Sequence, residues 1–183
     1  MKTAKKADLK KKLQKIKVFL TDVDGVLTDG GMYYTADGLA MKRYFVRDGM
    51  GSVILQRTGV EVGMISSDIS PIGQARAERL KFDHTYIGIR DKCEALDEIC
   101  KKRNFTYQNV AFIGDDVNDI EILKKVGFSA APNDAIDEVK KIASYVCAKK
   151  GGQGAYREVV DMIMKAQKKE NQQKTNKLTT DCL

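Results

Sequence analysis

Several classes of protein are excluded by what this chain of 183 residues does without. Its four cysteines, Cys93, Cys100, Cys147 and Cys182, form no C-x-x-C pair, and with the single histidine, His84, they cannot make a usual zinc site. Cys182 stands second from the end, the wrong place for a prenylation box. No apolar run approaches membrane-spanning length, and the first residues are too polar for a signal peptide, so a reduced cytoplasmic protein with no membrane partner is expected. No G-x-G-x-x-G follows a strand-like run and no G-x-x-x-x-G-K-[ST] occurs, so neither a dinucleotide nor a P-loop site is supported. Internal repeats are also absent.

The formal net charge of +7 is concentrated at the ends. Residues 1–15 carry seven lysines and one aspartate, and residues 165–183 carry five lysines against Glu170 and Asp181, which leaves the body between them slightly negative. Charge runs at termini are usually solvated, and the body shows no interleaving of aromatic and basic residues of the kind that binds single-stranded nucleic acid. Nucleic acid is therefore not expected as a partner. The reading is a basic tail over 1–15 with at most a frayed helix, one domain over 16–166, and a polar, disordered tail over 167–183.

The body is organised around Val18-Phe19-Leu20-Thr21-Asp22-Val23-Asp24-Gly25-Val26. An apolar run ending in two carboxylates and a glycine reads as a buried parallel strand that delivers acids to its C-terminal end, where open α/β sheets bind ligands. Asp22 and Asp24 alternate with Val23 and so start on one face. Taken alone, the motif also fits a polar strand end entering a turn. A second cluster, Val110-Ala111-Phe112-Ile113-Gly114-Asp115-Asp116-Val117-Asn118-Asp119, repeats the pattern of strand, glycine and acids. Two such ends brought together repel each other unless a hard cation such as Mg²⁺ lies between them, because that ion prefers oxygen ligands.

Around these runs, strand-like segments alternate with helical ones. Strands are expected at Val60–Ser66, His84–Ile87, Val110–Ile113, Phe128–Ala131 and Ser144–Cys147, and helices at Met50–Arg57, after the cap pair Ser70-Pro71, from Asp91 to Arg103, at Asn118–Val126, at Asp134–Ile142 and after Gly154. The alternation predicts an α/β fold, a three-layer doubly wound parallel sheet. Between Asp29 and Arg47, two strand-like runs flank an Asp37-Gly38 turn and predict a β-hairpin flap, too small to be a cap domain. Placed directly after the acidic loop, it exposes Tyr33, Tyr34, Tyr44 and Phe45, an apolar surface suited to another subunit.

Asp22-x-Asp24-Gly25-Val26, Ser66 at a strand end, Lys92, and Gly114-Asp115-Asp116-x-x-Asp119 stand in the order and spacing of the haloacid dehalogenase-like phosphatases, which the chain resembles from about Ile16 to about Ala166. Asp29-Gly30-Gly31, Val46-Arg47-Asp48-Gly49 and Gly151-Gly152-Gln153-Gly154-Ala155-Tyr156-Arg157-Glu158 resemble the capless subfamily that hydrolyses 3-deoxy-D-manno-octulosonate 8-phosphate. That resemblance implies Mg²⁺ held by Asp22, Asp115 and the backbone carbonyl of Asp24, with Asp22 as the nucleophile and Asp24 as general acid and base. It implies that Ser66 and Lys92 contact the phosphoryl group, and that Asp116 and Asp119 orient Lys92 and metal-bound water.

It also implies a tetramer in which each hairpin closes a neighbour's site. Substrate contacts are expected from Arg47, Asp48, Gly49, Ser67, Asp68, Arg76 and Arg157, the arginines because a keto-sugar acid offers a carboxylate that a guanidinium grips through two bonds. Arg157, just after a glycine loop, suits an anion at a helix N-terminus. One departure stands out. Where the octulosonate 8-phosphate phosphatases usually read Thr-Gly-Arg, this chain reads Ser66-Ser67-Asp68, and an acid there resembles the branch acting on nine-carbon sugar acid 9-phosphates. A rival of another class is a phospho-accepting signalling receiver, which places its acceptor after a middle strand and leaves Gly114-Asp115-Asp116-x-x-Asp119 without a role.

Overall fold

The computed structural model describes residues 2–180, with side chains over 7–168. Six short strands, β1 (Val18–Thr21), β4 (Glu61–Ser66), β5 (His84–Ile87), β6 (Val110–Ile113), β7 (Phe128–Ala131) and β8 (Tyr145–Val146), form one sheet. Their order is β5-β4-β1-β6-β7-β8, with every pair parallel. Successive connections thus run outward in one direction from β1 and then, from β6, in the other. Between β1 and β6 lies the point where the order reverses, and crevices for ligands open at that point in doubly wound sheets.

Residues with side chains on opposite faces of each strand feed two separate cores. Phe19, Val62, Met64, Ala111 and Ile113 face one way, against Leu55 of α2 (Val46–Gln56), Ala77 of α3 (Pro71–Leu80) and Tyr156, Val159 and Ile163 of α7 (Ala155–Thr180). Val18, Leu20, Ile65, Val110 and Phe112 face α4 (Lys92–Arg103), α5 (Ile120–Lys125) and α6 (Asp137–Ile142). The alternation is what a two-sided sheet requires, and each fully buried Leu, Ile or Phe contributes about 1.5–3 kcal/mol. Phe19 stacks on Tyr156, ring centroids 4.7 Å apart, which seats α7 over the strand that carries the acids.

Several boundaries differ from the sequence expectation. The N-terminal segment is not a solvated tail: α1 (Lys2–Gln14) packs Leu9 and Leu13 on the core, and the Gln167 side chain donates to the carbonyl of Ile16 at 2.9 Å. Hydrophobic residues four apart supply the seam that its lysine-rich composition obscures. At the other end α7 continues as helix to Thr180, past the point near Lys168 where a disordered tail is expected, through a run rich in helix-forming Lys and Gln. Asp181, Cys182 and Leu183 lie outside the described residues. Helix α2 starts at Val46, so Arg47, Asp48 and Gly49 lie in its first turn instead of in a loop before it. Ser70 takes the N-cap position of α3 but makes no capping bond.

The hairpin forms from β2 (Thr28–Thr35) and β3 (Gly38–Tyr44), paired antiparallel with two irregularities in register. No helix among the described residues is long and apolar enough to cross a membrane.

Candidate active site

In the parallel register, Thr21 at the end of β1 stands opposite Ile113 at the end of β6, so the residues that follow, Asp22 and Gly114-Asp115, emerge side by side at the switch point. The backbone N–H of Asp22 donates to the Ile113 carbonyl at 2.9 Å and ties the two loops together. Gly25 then turns away with φ +84°, and a Cβ there would lie 2.0 Å from Oδ2 of Asp115. Only glycine accepts both that conformation and that approach.

Lys92, the first residue of α4 and nearly inaccessible, rises from below. Its Nζ donates to Oδ1 of Asp22 and Oδ1 of Asp119, each at 2.6 Å. The other oxygen of Asp119 accepts the backbone N–H groups of Asp115 at 2.9 Å and Asp116 at 3.4 Å. Asp119 is thereby spent on holding Lys92 and the Gly114-Asp115 turn. Asp116 accepts from the backbone N–H of Val117 at 2.7 Å and opens a 3-10 turn over Val117–Asp119.

Burial raises the pKa of Asp22, with Lys92 offsetting part of the effect. Asp115 is also raised, by burial and then by the charges of Asp22, Asp119 and Asp116. Burial opposes the charge on Lys92, yet Asp22 and Asp119 hold its pKa above the ordinary value.

Oxygens of Asp22, Asp115 and Asp119 lie within 4.8 Å of one another. Asp115 Oδ1 is buried with no hydrogen-bond partner among the described residues, and a buried carboxylate oxygen without a donor carries a desolvation penalty that a cation would offset. The donor set is oxygen alone, which suits a hard divalent ion. With Asp119 committed on both oxygens, Asp22 and Asp115 are the carboxylates that remain for it.

Asp22, Asp24, Ser66, Ser67, Asp68, Asp115, Asp116 and Asn118 line one cleft of about 160 Å³. Ser66 closes β4 next to β1, and its hydroxyl accepts the backbone N–H of Asp68 at 3.2 Å. Arg47 and Arg157 are not brought to this cleft. They line a second depression of about 230 Å³ with Phe45, Lys149, Gln153 and Gly154. Arg76 lies over the ring of Tyr44, 5.3 Å from its centroid, and fills the space a Cβ on Gly49 would need.

Asp48 is buried. Its Oδ1 accepts the backbone N–H of Arg157 at 2.9 Å, tying the start of α2 to the start of α7, and its Oδ2 has no partner among the described residues. Burial pushes Asp48 up to about 6, against bonds from Arg157 and Gly154. The glycines before α7 serve close packing: Gly151 lies so near the Gly25 carbonyl that a Cβ would come within 1.8 Å of it.

Sequence reasoning missed Lys42. From β3 its Nζ reaches Oδ2 of Asp24 at 2.6 Å and Oδ2 of Asp68 at 2.7 Å. Burial opposes its charge, but the hydrogen bonds that it donates to the two carboxylates leave its pKa raised. The available signal was period two along β3, which puts Lys42 on the same face as Tyr44, a residue packed against the core.

A doubly wound sheet whose reversal point gathers acids from two strand ends over a buried lysine, with a strand-end serine beside them, defines the class of haloacid dehalogenase-like hydrolases, and the sequence profile of a haloacid dehalogenase-like hydrolase family matches residues 86–159. The 3-deoxy-D-manno-octulosonate 8-phosphate phosphatase of Haemophilus influenzae is 39% identical over 161 residues, 88% of this chain and 89% of that protein. The crystal structure of the corresponding phosphatase from Yersinia pestis superposes with a TM-score of 0.86 at 36% identity, covering 88% of each chain. That from Moraxella catarrhalis, solved with magnesium, phosphate and KDO, has a TM-score of 0.86 at 32% identity and covers 92% of this chain and 97% of that one. The chain belongs to the 3-deoxy-D-manno-octulosonate 8-phosphate phosphatase family, and it is a phosphoric monoester hydrolase of the haloacid dehalogenase type.

Proposed function

We propose that the protein hydrolyses 3-deoxy-D-manno-octulosonate 8-phosphate to the free sugar acid and phosphate in a Mg²⁺-dependent reaction through an aspartyl-phosphate on Asp22. The observation that carries this reading is the pairing of Asp22 with Lys92 beside the unpartnered oxygen of Asp115, in a chain whose relatives bear that phosphatase's name. Asp22, Asp115 and the backbone carbonyl of Asp24 would hold Mg²⁺, which would supply charge neutralisation for an anion attacking an anion.

Lys92 keeps Asp22 ionised and oriented, so that its free oxygen attacks phosphorus while the bond to the sugar oxygen breaks. Asp24 gives its proton to the departing oxygen and afterwards takes one from the water that cleaves the intermediate. Ser66, and Ser67 beside it, donate to phosphoryl oxygens. Asp119 acts by holding Lys92 and the Asp115 backbone, and Asp116 by fixing the turn between them.

The functional unit is a homotetramer. Met32, Tyr33, Tyr34 and Met41 leave an apolar hairpin surface that suits a neighbouring copy. In that assembly Arg47 and Arg157, outside the acidic cleft of their own subunit, are available to the carboxylate of a long substrate or to the neighbouring chain. Asp48 and Gly49 contribute by placing Arg157 and Arg76.

A second reading, a nonulosonate 9-phosphate as substrate, is favoured by Asp68, which stands where the family usually has arginine and presents a carboxylate to the cleft. Phosphate release with Mg²⁺ across octulosonate 8-phosphate, nonulosonate 9-phosphates and hexose phosphates tests the proposal. Turnover of hexose phosphates alone overturns it.

A further inference from the structure

The hairpin supplies one side chain that reaches two carboxylates of the cleft. Along β3 (Gly38–Tyr44) Lys42 is the one buried residue, and its side chain is enclosed. A lysine is enclosed in that way only when its charge is matched, and here Asp24 and Asp68 both match it, at 2.6 and 2.7 Å. The remaining oxygen of Asp24 accepts from the hydroxyl of Thr28, the first residue of the hairpin, at 3.3 Å. Both oxygens of Asp24 are therefore held from the flap and neither from the acidic pair Asp22 and Asp115. Asp68 is anchored in turn by the hydroxyl of Ser70, the residue that precedes α3. The ammonium thus bridges the loop after β1, the loop after β4 and the hairpin at a single point.

We infer that Lys42 is a positioning residue for the reaction. It fixes the carboxylate of Asp24 where it meets the departing sugar oxygen, with Asp68 as the counter-anchor. Without the ammonium, Asp24 loses the contact that joins it to Asp68 and to the hairpin, and its carboxyl group turns away from that oxygen. The inference rests on the reading of Asp24 as the group that protonates the leaving oxygen. That step transfers the Asp24 proton to the oxygen as the phosphorus–oxygen bond breaks and Asp22 takes the phosphoryl group. A sugar alkoxide needs the proton to depart. A p-nitrophenolate does not, so an arm that places the proton donor matters to one ester and not to the other.

The test compares kcat/KM, which reports the first irreversible step, on p-nitrophenyl phosphate and on the sugar acid phosphate the wild type turns over fastest, with Mg²⁺ present. Lys42→Met and Lys42→Gln lower kcat/KM on the sugar ester by about 10- to 100-fold and on the aryl ester by less than about threefold, and Lys42→Arg restores most of the sugar-ester rate. Equal losses on both esters, or no loss on either, overturn the inference. Asp24→Asn in the same assay separates it from its premise. If Asp24→Asn itself lowers both esters equally, the proton-transfer reading of Asp24 fails. If Asp24→Asn discriminates between the esters and the neutral Lys42 variants do not, only the role of Lys42 fails.

Discussion

The ammonium of Lys92 lies 2.6 Å from Oδ1 of Asp22, a contact between residues 70 positions apart that almost no solvent reaches. The pair works in both directions: Lys92 offsets the repulsion of three neighbouring acids at the ends of β1 and β6, and Asp22 and Asp119 hold the lysine charged. Lys92→Met is expected to destabilise the protein by about 3–5 kcal/mol near neutral pH, the usual cost of leaving buried charge without its partner. Urea unfolding measures this. A loss below about 1 kcal/mol would show that the acids relax into solvent when the lysine is removed.

Asp22→Asn removes the proposed nucleophile and one proposed metal ligand while keeping the shape of the side chain. Turnover should disappear and the fold persist, and EDTA should silence the wild type in the same way. A thermal melt adds a readout independent of activity. Mg²⁺ at a hundred times its Kd stabilises a binding protein by about 2.7 kcal/mol, and Asp22→Asn and Asp115→Asn should both diminish that stabilisation. A variant at Asp22 with near-normal kcat would sink the covalent mechanism.

Asp48 predicts how stability changes with pH. Its folded pKa of about 6 exceeds the ordinary 3.8, so the folded state binds the proton more tightly than the unfolded chain does. The associated stability is fully present below the unfolded value and is lost as pH rises through about 6, an effect on the order of 3 kcal/mol. Asp48→Asn keeps an acceptor for the Arg157 N–H and cannot titrate, so its stability curve should be flatter than wild type between about pH 4 and about pH 6. Parallel curves would show that Asp48 reaches water in the folded state.

Tyr34 is 67% exposed on the hairpin, where a monomer gains nothing from an aromatic side chain. Tyr34→Asp should break the proposed tetramer and reduce activity with it, as read by light scattering and phosphate release. A fully active wild-type monomer would dispose of the assembly.

Selectivity should move with Asp68. Lys42 and Ser70 both use Oδ2 of Asp68, which leaves Oδ1 for a sugar hydroxyl. Asp68→Arg exchanges that acceptor for a guanidinium and should shift preference towards octulosonate 8-phosphate over nonulosonate 9-phosphates by roughly ten- to a hundred-fold in kcat/KM. The same variant sets two cations side by side, so part of its loss on all substrates reports Lys42. Arg157→Ala should weaken sugar acid phosphates and spare p-nitrophenyl phosphate, which has no carboxylate. Equal losses on both would assign Arg157 to the fold.

The sequence by itself determined the sheet and its acids. Strand runs such as Val18–Thr21 and Val110–Ile113 are buried throughout, and apolar but for Thr21, because both faces of the sheet are covered, and each is followed by a short acidic motif whose spacing is local. Alternation with helices then leaves few topologies, and a parallel sheet delivers those strand ends to one edge. The tertiary structure alone decided the rest. Lys42 reads as one surface lysine among many until the hairpin folds back over the cleft, and no local pattern states that its partners are 18 and 26 residues away. Arg47 and Arg157 likewise carry nothing in their neighbours to separate them from the acidic cleft. Their place depends on where α2 and α7 begin, which the bond from the Arg157 backbone to Asp48 sets across 109 residues. Periodicity records which face of an element is buried, whereas the partner of a buried charge is fixed by chain closure between distant segments.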